Sequence, residues 1–121
     1  MTLDLTARNH QSELMDDPSL GDVAHRQALT GLRRINGWSR ADAAVWNAIR
    51  GLGAESTAAN PLTILDIASG GGDLAIRLAR AAQREQVAVR IDGCDISPTA
   101  IAFATEQSLA GGLTNIAFYQ C

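Results

Sequence analysis

The chain has 121 residues, a net charge of −3 and ten basic residues, all of them arginine. It is 46% apolar and 19% charged, a globular balance rather than a disordered one. An acidic chain with no basic run is a poor match for nucleic acid, no apolar stretch approaches the ~18 residues of a membrane helix, and the opening MTLDLTARNH carries no basic-then-apolar secretory pattern.

The first residues are polar and mixed. Asp16-Asp17-Pro18 reads as a helix start, an acidic cap with Pro in the first turn. Ala24, Ala28, Leu32 and Ile35 then fall at helical spacing, and Asn36-Gly37 ends the stripe. Ser39-Arg40-Ala41-Asp42 opens a second helix with a capping-box pattern, in which Asp replaces the usual Glu. Val45, Trp46 and Ile49 form its apolar face, and Gly51 or Gly53 stops it. The period changes after the small, polar stretch from Glu55 to Pro61. Leu62–Ile67 is a short run of β-formers that predicts a strand buried on both faces. Asp73 to about Arg84 predicts a helix with Leu74, Ala75, Leu78, Ala79 and Ala82 on one face. Val87, Val89 and Ile91 alternate into a strand ending at Gly93-Cys94-Asp95. Ser97-Pro98 caps a further helix that Gly111-Gly112 stops, and Ile116 to Tyr119 predicts a third strand. Strands alternating with helices imply right-handed crossovers and a parallel sheet, an α/β fold.

The chemistry concentrates between the first strand and its helix, in Asp66-Ile67-Ala68-Ser69-Gly70-Gly71-Gly72-Asp73. Such a turn lies at the carboxyl ends of the strands, where open parallel sheets bind ligands. Gly70-x-Gly72-x-x-Ala75 fits the relaxed dinucleotide fingerprint, with Asp95 at 23 residues beyond Gly72. The acids point elsewhere. Asp66 stands at the strand end and Asp73 directly follows Gly72. Carboxylates there suit an ammonium group and repel a pyrophosphate. Asp95, ending the next strand, offers two oxygens to a pair of ribose hydroxyls.

Ile64-Leu65-Asp66-Ile67-Ala68-Ser69-Gly70-Gly71-Gly72-Asp73-Leu74 resembles the first motif of class I S-adenosylmethionine-dependent methyltransferases. Ile91-Asp92-Gly93-Cys94-Asp95-Ile96-Ser97-Pro98-x-Ala100-Ile101-x-x-Ala104 resembles the second, a G-x-D-x-S-P-x-A-I-x-x-A stretch, and the two together, in order and spacing, are specific where either alone is not. The resemblance covers residues 62–121. It implies a Rossmann-like, doubly wound sheet of which this chain supplies the first three strands, in the order 3-2-1, preceded by an N-terminal helical segment. It divides the chain into a helical cap over 1–60 and a cofactor-binding half over 61–121. It implies S-adenosylmethionine as cofactor and S-adenosylhomocysteine as product. Asp66 and the backbone of Ala68, Ser69, Gly70, Gly71 and Gly72 would face the methionyl end, Asp95 would bind the ribose, and Ile96 would pack on the adenine. The family often has Gly where this chain has Ala68, which puts the local loop geometry in question. The expected reaction is methyl transfer to a small-molecule acceptor at O, N or C, with no general base recognisable in the chain.

The family sheet has seven strands, so the chain is expected to be a fragment that is inactive alone. The far side of Leu62–Ile67 would then be uncovered, and an uncovered apolar edge invites self-association. An NAD(P)-binding dehydrogenase module and a non-catalytic, self-associating fragment are the alternatives. Trp46 on its helix, and Trp38 between the two helices, are expected to pack. His10 and His25 lack acidic or Cys partners at ligand spacing and are expected in solvent. Arg33-Arg34 and Arg77, Arg80 and Arg84 are expected to be solvated helix faces. Cys94 and Cys121 have no metal-ligand spacing. They end neighbouring strands and are expected as buried, reduced thiols in the cytoplasm.

Overall fold

The computed structural model describes residue 21, residues 23–28 and residues 39–121. Six elements follow in order: α1 (Arg40–Leu52), β1 (Leu62–Ile67), α2 (Asp73–Glu85), β2 (Val89–Asp95), α3 (Pro98–Ala110) and β3 (Ile116–Gln120). Residues 23–28 form a further helical stretch. The Asp16 helix start, His10, Arg33-Arg34 and Trp38 lie outside the described residues.

Local signals set the helix ends. At α1 the Asp42 N–H donates to Ser39 Oγ (3.2 Å) and the Ser39 N–H to Asp42 Oδ2 (2.9 Å), a complete capping box. Gly53 closes that helix by donating its N–H to the Ile49 carbonyl. Ser97 caps α3 through Ala100 N–H (3.2 Å), with Pro98 in the first turn. Val87, which the alternation places in a strand, instead completes the end of α2. Gln86 adopts a left-handed φ of 56°, and the Val87 N–H reaches back to the Ala82 carbonyl.

The strands form one parallel sheet in the order β1-β2-β3. Leu62 pairs with Val89 and Ile91 with Ile116. One face carries Ile64, Ile91 and Phe118 into a core with Ala75, Leu78, Ala79 and Ala82 of α2 and Ala104 of α3. With few aromatics, the fold relies on alanine to bring helix backbones close to the sheet; Ala75, Ala79, Ala82 and Ala104 are all 0% exposed. α1 docks alongside α2. Trp46 and Ile49 enter the core, and Trp46 Nε1 and Arg50 both bond the Glu85 carboxylate. Val45, expected on the buried face, is 40% exposed because it lies to the side of this seam.

The opposite face of the sheet corrects the expectation of a doubly buried first strand. β1 alternates between half-buried and exposed positions, and Leu65 and Ile67 are 63% and 71% exposed. The core helices pack against the other face, so among the described residues nothing covers this one. Cys94 is half-buried and Cys121 exposed, and both are free thiols. They do meet: a hydrogen bond with Cys94 is the main cause that holds the Cys121 thiol above its usual range. No helix among the described residues is long and apolar enough to cross a membrane.

Two further expectations change. His25 is buried, not solvated, at 5% exposure. The helical stretch that carries it docks on α3 through the Arg26–Glu106 ion pair and the Arg26 guanidinium over the Phe103 ring. Arg77 is likewise no solvated face. Its guanidinium bonds Asp42 (3.1 Å) and Asp73 (2.6 Å), tying the start of α1 to the start of α2.

Candidate cofactor-binding site

The glycine loop leaves the carboxyl end of β1 and enters α2. Three of its residues hold left-handed backbone: Ala68 (φ 58°), Gly70 (φ 54°) and Gly72 (φ 77°). Ala68 therefore keeps the conformation that favours glycine, at the cost of contact between its Cβ and the backbone. Gly72 and Gly93 are required for a second reason. A Cβ on either would lie 2.6 Å from the Phe118 ring. That ring sits beneath the loop and sets its height above the sheet. Gly70 is different. The space where its Cβ would stand is open, so a ligand can approach the backbone there.

The loop is stitched to the end of β2. The Ser69 N–H donates to the Cys94 carbonyl (2.9 Å), and the Gly72 N–H to the Ser69 carbonyl (3.0 Å). The Gly70 N–H donates to Asp95 Oδ2 (2.8 Å), while the other oxygen of that carboxylate, Oδ1, accepts from the Ser97 N–H (2.9 Å). Each oxygen keeps lone-pair capacity for one further donor. Ser69 Oγ is shielded from solvent without a hydrogen-bond partner.

Asp66, Asp73 and Asp95 surround this loop. Asp73 is engaged by Arg77. Asp66 is half-buried, and burial pushes its carboxyl above the usual carboxylate range. Its carboxylate makes no hydrogen bond or ion pair among the described residues, so a cation beside it would offset that burial. The geometry suits a ligand with a positive end and neutral hydroxyls. It opposes a pyrophosphate, because three loop N–H groups are already bonded internally and the nearby charge is negative. Ile96, next after Asp95, is 67% exposed and presents an apolar surface beside the carboxylate.

The sequence motifs thus locate Asp66, Ala68, Ser69, Gly70, Gly71, Gly72, Asp95 and Ile96 at the adjoining ends of β1 and β2. What sequence reasoning missed is Phe118. It lies on β3, apart from both motifs, and only the register that pairs it with Gly93 brings it under the loop.

A family profile described as "Methyltransferase domain" matches residues 59–121. No curated protein sequence matches the chain. Among solved structures, the chain is similar to an S-adenosylmethionine-dependent methyltransferase from Aquifex aeolicus, at 15% identity and a TM-score of 0.51, over 77% of this chain and 46% of that one. It is also similar to a protein from Galdieria sulphuraria assigned as a sarcosine dimethylglycine methyltransferase, at 24% identity and a TM-score of 0.53, over 68% of this chain and 28% of that one. At these identities the likeness establishes the Rossmann-like fold. The chain spans less than half the length of either structure.

Proposed function

Because the chain belongs to the methyltransferase-domain family, we propose that it binds S-adenosylmethionine at the glycine loop and serves methyl transfer to a small-molecule acceptor. The observation that carries this reading is the loop itself, bonded internally and ringed by carboxylates, with Asp66 left to face a cation. Asp66 takes the ammonium group of the methionyl end, directly or through water. The backbone from Ala68 to Gly72 encloses that end, approached at Gly70. Asp95 accepts from the two ribose hydroxyls, and Ile96 packs on the adenine.

The cofactor supplies a methyl group on a positively charged sulfur, and S-adenosylhomocysteine is the product. The contribution of this chain is to fix that methyl in one position, and alignment of this kind can account for about 7–11 kcal/mol of a barrier. No residue of the chain is assigned as a general base. We assign residues 61–121 to the cofactor-binding half of the domain and the helical segment over 1–60 to a cap on it. No acceptor-binding residue is assigned in this chain. Two free thiols fit a reducing cytoplasm. The sheet face that the described residues leave uncovered, with the β1 edge, makes the isolated chain self-associate.

Calorimetry with S-adenosylhomocysteine against NADH tests the reading. Binding of the former with no response to the latter is expected. The reverse result would make the chain a dinucleotide-binding module.

A further inference from the structure

Asp95 sits where two demands meet, and its bonds extend beyond a ribose contact. Its carboxylate holds the Gly70 N–H on one oxygen and the Ser97 N–H on the other. Its main-chain carbonyl accepts from the Cys121 N–H (3.0 Å), which anchors the residue to the end of β3. Asp95 is therefore fixed from behind, and Gly70 is fixed by Asp95. Gly70 is also the loop residue with left-handed backbone and open space above its Cα, the point at which the methionyl end approaches.

We propose that Asp95 is a positioning residue for the glycine loop, and that its bond to Gly70 couples recognition of the two ends of the cofactor. The inference rests on the reading of the site given above. Each carboxylate oxygen that accepts a ribose hydroxyl also holds a main-chain N–H, so both sets of bonds share one rigid group. A ribose on Asp95 restrains the carboxylate, the carboxylate restrains Gly70, and the loop is then ordered for the methionyl end. The converse holds by linkage: ordering the loop fixes the carboxylate for the ribose.

Asp95→Asn isolates the effect. The amide has one oxygen and one NH2 group of the same shape. When the oxygen accepts from Ser97, the NH2 faces the Gly70 N–H, donor against donor. When the amide turns over, the conflict moves to Ser97. One main-chain N–H loses its acceptor in either case.

The test uses the full chain, with S-adenosylhomocysteine, adenosine and methionine as ligands, followed by NMR titration and amide hydrogen exchange. In the wild type the Gly70 amide is expected to exchange at least tenfold more slowly than an unstructured glycine amide. In Asp95→Asn that protection falls while the α2 amides of Ala79 and Ala82 stay protected. Adenosine and methionine both bind at least tenfold more weakly. Ile96→Ala serves as the comparison: adenosine weakens and methionine does not. The proposal is overturned if the wild-type Gly70 amide is unprotected, or if Asp95→Asn weakens adenosine and leaves methionine unchanged. Should Asp95→Asn fail to fold, the wild-type Gly70 exchange rate decides. Failure of the wild type to bind S-adenosylhomocysteine would instead remove the cofactor reading, and would leave the Gly70 measurement to judge the bond.

Discussion

Ala68 is the residue at which local preference and loop geometry disagree. The family resemblance marks it as a replacement for glycine, and the backbone there still adopts φ 58°. An L-residue in that region costs about 1–2 kcal/mol, partly offset by its smaller entropy loss on folding. Ala68→Gly is therefore expected to stabilise the chain by about 0.5–1 kcal/mol in denaturant unfolding. Asp66 presents the opposite balance. Its carboxyl is raised by burial, so the folded state holds its proton more tightly than the unfolded chain does. The ionised group thus opposes folding above the raised value, and its contribution improves as pH falls through that value toward the unfolded one. Asp66→Asn is expected to raise the melting temperature at pH 7. The same substitution should weaken S-adenosylmethionine by about 1.5–3 kcal/mol, the scale for a hydrogen bond to a charged group. A variant that is both less stable and equally tight would remove Asp66 from the site. Gly93→Ala places a Cβ 2.6 Å from Phe118 and should cost about 1–3 kcal/mol, with part of the loss recovered in a Gly93→Ala, Phe118→Leu double variant.

The helices and strands themselves were largely legible. Their ends are written in short-range chemistry: the Ser39–Asp42 box, Gly53, and Ser97-Pro98 each act within a few residues. β1 needed no correction of its bounds for the same reason, since Pro61 and the glycines fence it. Burial was less legible, because it depends on what arrives from elsewhere in the chain. Arg77 has the spacing of a solvated arginine and becomes half-buried only because α1 brings Asp42 to it. His25 is buried because its helical stretch lies on α3. Arg77→Met removes the charge between two carboxylates and should destabilise the chain by about 1.5–3 kcal/mol. The same contact has a pH signature. The Ser39 N–H, followed by Arg77, holds the Asp42 carboxyl below its usual range, against an opposing effect of burial. Its stabilisation is present above the unfolded carboxylate value and is lost as pH falls through the depressed one. Acid unfolding of the wild type should carry this step, and Asp42→Asn should blunt it.

At the scale of the whole molecule, the described residues give the sheet one finished face and leave the other open. Leu65, Ile67 and Tyr119 stand out on the open face, at 63%, 71% and 50% exposure, and β1 forms an edge with no lysine or proline within it to deter pairing. Sedimentation of the isolated chain is expected to show concentration-dependent self-association, reduced by Leu65→Thr with Ile67→Thr. A monodisperse monomer at high concentration would count against it. The apolar run of β1 announced a strand, but a run of this kind does not state how many faces will be covered; that is fixed by where the crossover helices land. The sheet order carries one more consequence. β1, β2 and β3 lie side by side in the order in which they occur along the chain, so each new strand closes on the one made just before it. Synthesis on a ribosome releases them in that order, and β1 with β2 can shelter apolar surface under α2 before β3 exists. Phe118 arrives after both motifs, so the loop gains its floor only once β3 has emerged. The glycine loop is therefore completed only after β3 has emerged, although its own sequence precedes β2.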